Sequence, residues 1–329
     1  MMNTLIEKFP AQLKEALEIG TNAEINTHNL EIQKVFVAGL GGSGIGANFV
    51  NEFIREESKV PLLIGKGYTI PAFVDKNTLA ICSSYSGNTE ETLHTFNQIL
   101  KTGAKLVVIS SGGKLIEQAK EHNLDYIQIP SGWPSPRACL GYSLVQQLCI
   151  LNKLNIIGDS ALNKVKASID LIKFDIDAIQ AEAKSIAEKI YNKIPVIYTT
   201  DRMEAVAVRL RQQINENAKM LCWHHVIPEM NHNELVGWTT RDERLAVLYF
   251  RNKDDLRRNQ LRMDINKEII GKYTKTIIDI YSKGNSLIEK SIYFIHLSDW
   301  ISWYLSELRE VDSMEIKVIE YLKSELAKV

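Results

Sequence analysis

The sequence predicts an α/β protein with two doubly wound parallel sheets, each in its own subdomain, joined by long helices. Short, almost continuously apolar runs rich in β-branched residues alternate with longer amphipathic stretches, as expected of strands that are covered on both faces. Each half of the chain contains one series of such alternating runs. The length of 329 residues also indicates about two domains.

Four strand-like runs and three amphipathic stretches alternate in the first half of the chain, an order typical of a parallel sheet. The strands are predicted at Lys34–Gly39, Thr78–Ser83, Lys105–Ser110 and Asp125–Ile129, and the helices at Ile45–Arg55, Glu90–Lys101 and Lys114–His122. A further apolar run, Pro61–Ile64, follows the first of these helices. Long helices are predicted next, at Arg137–Ile156 and Ser160–Lys193.

The same alternation returns in the second half, which predicts a second subdomain. Strands are predicted at Pro195–Thr200, Leu245–Phe250 and Thr276–Tyr281, and helices at Met203–Met220, Asp254–Gly271, Asn285–Leu308 and Met314–Lys328. We therefore expect an N-terminal subdomain over residues 1–157 and a C-terminal one over 158–329, with helical segments at both ends. Ligands of open α/β sheets bind beyond the carboxyl ends of the strands, which directs attention to the loops there.

Composition argues against several functional classes. Thirty-nine basic and 40 acidic residues give a net charge of −1, without the basic excess of a nucleic-acid or membrane-surface protein. We recognise neither a signal peptide nor a run of roughly 20 apolar residues. The four cysteines lack metal-type spacing and suit a reducing compartment. We therefore expect a cytoplasmic protein with no nucleic-acid or membrane partner.

A glycine-rich string, Gly39–Gly46, follows the first predicted strand and includes Ser43. Glycines let the backbone approach an anion, and the helix that follows points free N–H groups at it. The string also satisfies GxGxxG, but a dinucleotide site requires an acidic residue after the second strand. Lys66 stands there between two glycines, which argues against NAD and leaves NADP as a weak alternative. A tight turn without a ligand is the simpler alternative.

A cluster of hydroxyl side chains, Ser83–Thr92, follows the next strand. One hydroxyl is enough to cap a helix, and Thr89 before Glu90 is well placed to start one. Capping does not account for Ser84 and Ser86 as well, whereas a phosphate group uses several donors at a helix N-terminus. The cluster lacks GK[ST], so it predicts a phosphate site that is not a nucleoside triphosphate loop.

Three further polar segments carry candidates for acid–base chemistry. Glu216 lies between two asparagines, which are poor helix-interior residues, although an exposed helix with an Arg–Glu pair is the alternative. His232 is surrounded by asparagines and glutamates that are suited to orient its ring. The nearby His224 and His225 do not complete a metal motif with it, and we expect no metal. Arg137 opens a helix, where a cation is unfavourable unless an anion is bound.

Five motifs occur in order along the whole chain: LGGSGIG, SYSGNTEET, SPRA, NENAK and EMNHNELVGW. The glycine and serine motifs resemble those of the sugar isomerase (SIS) fold. The five together resemble the bifunctional phosphoglucose/phosphomannose isomerases. The resemblance implies two SIS-type subdomains, interconversion of glucose or mannose 6-phosphate with fructose 6-phosphate through a cis-enediol, and no cofactor.

The resemblance also implies a role for each matched residue. It assigns the substrate phosphate to Ser43, Ser84, Ser86 and Thr89, with Gly42 and Gly44 beside the substrate. It implies that Glu216 moves the proton between C1 and C2, that His232 helps to open the ring and that Arg137 stabilises the enediol. In related isomerases the histidine comes from the neighbouring subunit, so we expect a homodimer with shared sites.

A C-terminal lysine also takes part in ring opening in that family. Its distance from the chain end favours Lys323, with Lys317 as the alternative. A threonine before this lysine is linked to mannose phosphate, but Ile316 stands there, or Glu310 if the lysine is Lys317. Two other functions compete with the isomerase: a sugar-phosphate-binding module without catalysis, and a Rossmann oxidoreductase that rests on the glycine pattern alone.

Overall fold

The computed structural model describes residues 1–27 and 31–328, which form two compact units. The N-terminal unit comprises Lys8–Lys173 and Asn285–Glu289. The C-terminal unit comprises Met1–Glu7, Phe174–Gly284 and the chain from Lys290 onward. Both units are α/β structures with one parallel sheet each, which confirms the predicted fold class.

In its described residues, the N-terminal unit contains five strands and six helices. The strands are β1 (Lys34–Ala38), β2 (Leu62–Gly65), β3 (Thr78–Ser83), β4 (Lys105–Ser110) and β5 (Asp125–Gln128). The helices are α2 (Phe9–Asn22), α3 (Gly41–Ile54), α4 (Glu90–Ile99), α5 (Gly113–Glu121), α6 (Leu140–Lys153) and α7 (Ser160–Phe174), with a 3₁₀ turn at Pro136–Cys139 before α6. The predicted strands and the apolar run at Pro61–Ile64 are all part of the sheet.

Strand order in this sheet is β2-β1-β3-β4-β5, and all neighbours are parallel. Helices α4 and α5 cover one face, where Phe96 and Ile116 pack against Phe36, Ala80 and Val108 of the strands. Helix α6 packs against α2 and α3 and is buried along most of its length. The chain reverses its direction of travel across the sheet between β1 and β3, and the carboxyl edge at such a switch point is where open α/β sheets bind ligands.

The C-terminal unit contains four strands and the remaining helices. The strands are β6 (Ile194–Thr200), β7 (Trp223–Ile227), β8 (Leu245–Arg251) and β9 (Ile277–Tyr281). The helices are α1 (Met2–Glu7), α8 (Ile176–Ile190), α9 (Glu204–Ala218), α10 (Arg257–Ile270), α11 (Leu287–Leu308, of which the part from Lys290 belongs here) and α12 (Lys317–Leu326). Strand order is β7-β6-β8-β9, again all parallel.

Two helix predictions differ from the structure. The single helix predicted at Ser160–Lys193 is wrong, because Asp175 separates α7 from α8. The break falls where the two units divide, so α7 belongs to the N-terminal unit although the boundary was expected at residue 157. The helix predicted from Arg137 begins as the 3₁₀ turn and becomes α-helical only at Leu140.

Candidate active site

The glycine string forms the start of α3 at the carboxyl end of β1. Ser43 lies in the first turn of this helix with Gly42 and Gly44, and its side chain is buried. Lys66, which follows β2, donates from its ammonium group to Asn48 Oδ1 at 2.6 Å. The first turn of a helix has unsatisfied N–H groups and a positive dipole end, which together favour a bound anion.

The hydroxyl cluster forms the loop between β3 and α4, and Thr89 directly precedes α4 as predicted. The Ser84 and Thr89 hydroxyls lie 2.7 Å apart. The backbone N–H groups of Gly87 and Asn88 donate to the hydroxyls of Ser84 and Ser86, both at 3.2 Å. Ser84 is buried, Thr89 half-buried and Ser86 exposed. These bonds fold the loop so that several hydroxyls lie within one turn of the N-terminus of α4.

These two loops follow adjacent strands, since Ala38 of β1 pairs with Cys82 of β3. The 3₁₀ turn that carries Arg137 lies at the same place. A Cβ built on Gly42 would stand 3.3 Å from the Pro136 carbonyl oxygen and 3.9 Å from the Arg137 Cα. The structure therefore brings the predicted phosphate residues and the buried residue Arg137, which is 6% exposed, to one edge of the N-terminal sheet.

In the C-terminal unit, Glu216 lies half-buried in the last turn of α9. The face of α9 that carries Arg209, Gln213 and Asn217 is buried. Arg209 forms a bidentate ion pair with Asp299 of α11, with distances of 3.0 and 2.8 Å, and Asn217 donates to Ser302 Oγ at 2.9 Å. This polar interface fixes the rotation of α9 about its axis and with it the direction in which Glu216 projects.

The residues beside Glu216 hold the helix end, as their type suggested. Asn215 donates to the Met220 carbonyl oxygen at 2.6 Å. Lys219 ends the helix in a left-handed conformation, and its ammonium group donates to the carbonyl oxygens of Glu216 and Asp312 at 2.5 and 2.8 Å. Hydrogen bonds from the side chains of Asn215 and Lys219 therefore fix the backbone on both sides of Glu216.

His232 is exposed at the end of a 3₁₀ turn, Glu229–His232, that follows β7. Its neighbours hold this turn in place. Asn233 donates to Glu229 Oε1 at 2.9 Å. The Glu234 carboxylate accepts from the Tyr198 hydroxyl at 2.5 Å and from the Trp223 indole N–H at 3.0 Å. The carboxylate of Glu234 therefore anchors the His232 turn to the sheet, a role that sequence reasoning missed.

Glu216 and His232 lie at opposite edges of the C-terminal sheet. Strand β7 begins after the end of α9 and runs to Ile227, immediately before the His232 turn. Its five residues rise about 3.3 Å each, which separates the two edges by roughly 16 Å. One hexose phosphate does not span that distance, so the structure does not bring these two residues of one chain together.

Both candidate lysines, Lys317 and Lys323, lie on α12, which has no buried residue. Both side chains are exposed. Ile316 directly precedes this helix and Glu310 has a positive φ of 53°. Neither lysine is distinguished by its contacts.

Within residues 1–27 and 31–328, no group of three or more His, Cys, Asp and Glu side chains is arranged to hold a metal ion. In the same ranges, no helix has the length and apolarity needed to cross a membrane.

Comparison with known proteins identifies the family. Residues 179–326 match the family model of the bacterial phospho-glucose isomerase C-terminal SIS domain. The bifunctional phosphoglucose/phosphomannose isomerase of Caldicellulosiruptor bescii is 39% identical over 98% of both chains. This chain belongs to the bifunctional phosphoglucose/phosphomannose isomerase family. The enzyme of the same name from Aquifex aeolicus is 38% identical over 89% of this chain and 90% of its own.

The fold extends beyond this isomerase family. The C-terminal domain of glucosamine-fructose-6-phosphate aminotransferase from Francisella tularensis aligns with a TM-score of 0.78 over 95% of this chain and 97% of its own. At 15% identity this likeness concerns the fold alone.

Proposed function

We propose that the protein interconverts glucose 6-phosphate and fructose 6-phosphate, and mannose 6-phosphate and fructose 6-phosphate, by ring opening and a cis-enediol. The observation that carries this proposal is the similarity over 98% of both chains to a relative named for that reaction. The donor-rich edge at the β1/β3 switch point supports it, because it is built for an anion of phosphate size.

The proposed roles of the residues follow the chemistry. Ser43, Ser84, Ser86 and Thr89 hold the phosphate through their hydroxyls and the N-termini of α3 and α4. Glu216 removes the proton from C2 of the open aldose, which the adjacent C1 carbonyl makes acidic, and returns it to C1. Arg137 stabilises the negative charge that develops on the enediol oxygens. The chain needs no cofactor for these steps.

Ring opening requires a second acid–base pair, for which we propose His232 and Lys323, with Lys317 as the alternative. The separation of Glu216 and His232 across the sheet supports a homodimer in which His232 completes the site of the partner subunit. Mixing Glu216→Gln and His232→Asn subunits tests this. Half of the dimers would then be mixed, each with one intact site, so about a quarter of wild-type activity returns. Activity that stays at the level of the single variants excludes the shared site.

The overall reaction is tested by following fructose 6-phosphate in the presence of purified protein. We expect both glucose 6-phosphate and mannose 6-phosphate to form. If glucose 6-phosphate is the only product, we would attribute the narrower specificity to Ile316, which stands where the family has a threonine. Binding of fructose 6-phosphate without either product would favour a non-catalytic sugar-phosphate-binding protein or another phosphosugar as substrate. We further propose a cytoplasmic location, which suits the four free cysteines.

A further inference from the structure

Arg137 stands in a segment with little regular structure. The chain from Ile129 to Ser135 contains neither helix nor strand and includes Gly132 and Pro134. It leaves the sheet where the Ile129 N–H donates to the Ser110 carbonyl oxygen at 3.0 Å. A small displacement of a catalytic group lowers the reaction rate strongly. A catalytic arginine in such a segment therefore has to be held in position by contacts with residues outside the segment.

Tyr85 supplies such a support. It lies inside the hydroxyl loop between Ser84 and Ser86, and its phenolic oxygen accepts a hydrogen bond from the Trp133 backbone N–H at 3.0 Å. The Cys139 thiol donates to the Ser135 carbonyl oxygen at 3.7 Å. Trp133 precedes Arg137 by four positions and Cys139 closes its 3₁₀ turn. The Tyr85 hydroxyl therefore holds the backbone of the arginine segment four residues before Arg137.

The backbone of Tyr85 is fixed independently of this contact. Its carbonyl oxygen accepts from the N–H of Ser111 at 3.0 Å and from the Ser111 hydroxyl at 2.7 Å. The next residue, Ser86, accepts the N–H of Asn88. Burial raises the pKa of Tyr85 to about 12, so its hydroxyl stays protonated at neutral pH. Tyr85 thus joins a rigid phosphate loop to a less regular arginine segment.

We propose that Tyr85 is a positioning residue, which sets the distance between the phosphate-binding loop and Arg137 through its hydroxyl. This inference rests on the proposed function, in which the phosphate of the substrate binds to that loop and its enediol oxygens meet Arg137. Tyr85 then acts on the transition state through Arg137 and leaves the binding of the phosphate group unchanged.

The test replaces Tyr85 by Phe, which deletes the hydroxyl and keeps the ring. We expect kcat to fall by roughly ten- to a hundredfold, while the inhibition constant of inorganic phosphate stays within about twofold. In an Arg137→Ala background the same change should alter kcat by less than about twofold, because the two residues act as one. Equal losses in both backgrounds, an unchanged kcat, or weaker phosphate inhibition that matches the loss of kcat would each overturn the proposal.

Tyr142→Phe is the matched control. The Tyr142 ring packs edge-on against Trp133 with ring centroids 6.0 Å apart, and its hydroxyl donates to the Glu15 carboxylate. Removing this hydroxyl leaves in place the edge-on ring contact with Trp133 and the hydrogen bond from the Trp133 backbone N–H to Tyr85, so kcat should be unchanged. A loss of kcat equal to that of Tyr85→Phe would instead mean that any loosening near Trp133 slows the enzyme, which contradicts a specific role of Tyr85.

A readout that does not depend on turnover separates this inference from the proposed function. Hydrogen exchange at the Trp133 amide should be faster in Tyr85→Phe than in wild type and unchanged in Tyr142→Phe. If wild type converts no hexose phosphate, the proposed function fails and this exchange still decides whether Tyr85 holds the segment. Unchanged exchange at Trp133 in Tyr85→Phe overturns the positioning role.

Discussion

Replacing Gly87 by Ala tests the packing of the phosphate loop directly. Gly87 has φ +70°, and a Cβ there would lie 1.8 Å from the Gly112 carbonyl oxygen and 2.8 Å from Ser110 Oγ. The left-handed conformation costs an L-residue about 1–2 kcal/mol. Forcing apart two packed backbones adds about 1–3 kcal/mol. We therefore expect Gly87→Ala to lower the free energy of unfolding by about 2–5 kcal/mol.

The same change should weaken phosphate binding, because the Gly87 N–H donates to the Ser84 hydroxyl. Displacement of Gly87 would move the Ser84 hydroxyl, which is one of the proposed phosphate ligands. Loss of its hydrogen bond to the anion should raise the inhibition constant of inorganic phosphate about tenfold. Urea unfolding followed by circular dichroism gives the stability, and competition against turnover gives the inhibition constant.

Gly103→Ala is the control for the conformational cost. Gly103 has φ +76°, but its Cβ would meet Lys76 Cβ at 3.7 Å, an ordinary contact. The backbone cost is shared by both variants, whereas the clash occurs only at Gly87. Equal destabilisation by the two changes, or a Gly87→Ala protein that binds inorganic phosphate as tightly as wild type, would refute this reasoning.

Two further predictions concern the interior of the C-terminal unit. Asp299→Ala removes the carboxylate that forms a bidentate ion pair with the buried Arg209 and should cost about 3–5 kcal/mol of stability in urea unfolding. Much of this loss should be recovered when Arg209→Met and Asp299→Leu are combined; no recovery would contradict the ion-pair account. Burial lowers the pKa of His296 to about 3 from its ordinary 6.5. Between pH 3 and pH 6.5 the imidazole therefore binds a proton in the unfolded chain but not in the folded chain, so acidification over this range favours unfolding. Replacing His296 by Gln should therefore reduce the slope of stability against pH between pH 6 and 4 by about 1.4 kcal/mol per pH unit at most, and an unchanged slope would show that His296 does not titrate on unfolding.

Strands β1, β3, β4, β6 and β8 could be predicted from the sequence because they are buried along almost their whole length and are therefore continuously apolar. Strand β7 was not among the predicted strands, because it is mostly exposed or half-buried and contains two histidines. The bounds of β3 and β4 match the prediction to the residue. The first residues of the helices were harder to predict from the sequence. Helix α3 begins at Gly41, four residues before the predicted start at Ile45. The prediction was late because glycine has a low helix propensity, which the packing around the glycine string overrides. The break at Asp175 depends on the division into units, which helical periodicity does not encode.

For the candidate site, the hydroxyl loop could be recognised because its donors lie within a few residues of one another. The supports of the site could not. Arg209 and Asp299 are 90 positions apart, Tyr85 and Trp133 are 48 apart, and each pair is joined by one side-chain contact that leaves no periodic pattern. Only the fold brings such residues together.

We propose that Glu216 moves the proton between C1 and C2 of the substrate. The most direct test incubates fructose 6-phosphate with wild type and with Glu216→Gln in D₂O and follows deuterium at C2 of the glucose 6-phosphate formed. Wild type should give labelled product. Glu216→Gln should lower the rate by about 10²–10⁴-fold while binding fructose 6-phosphate as tightly. Turnover by Glu216→Gln within a few-fold of wild type would contradict the account and assign the proton transfer to another residue.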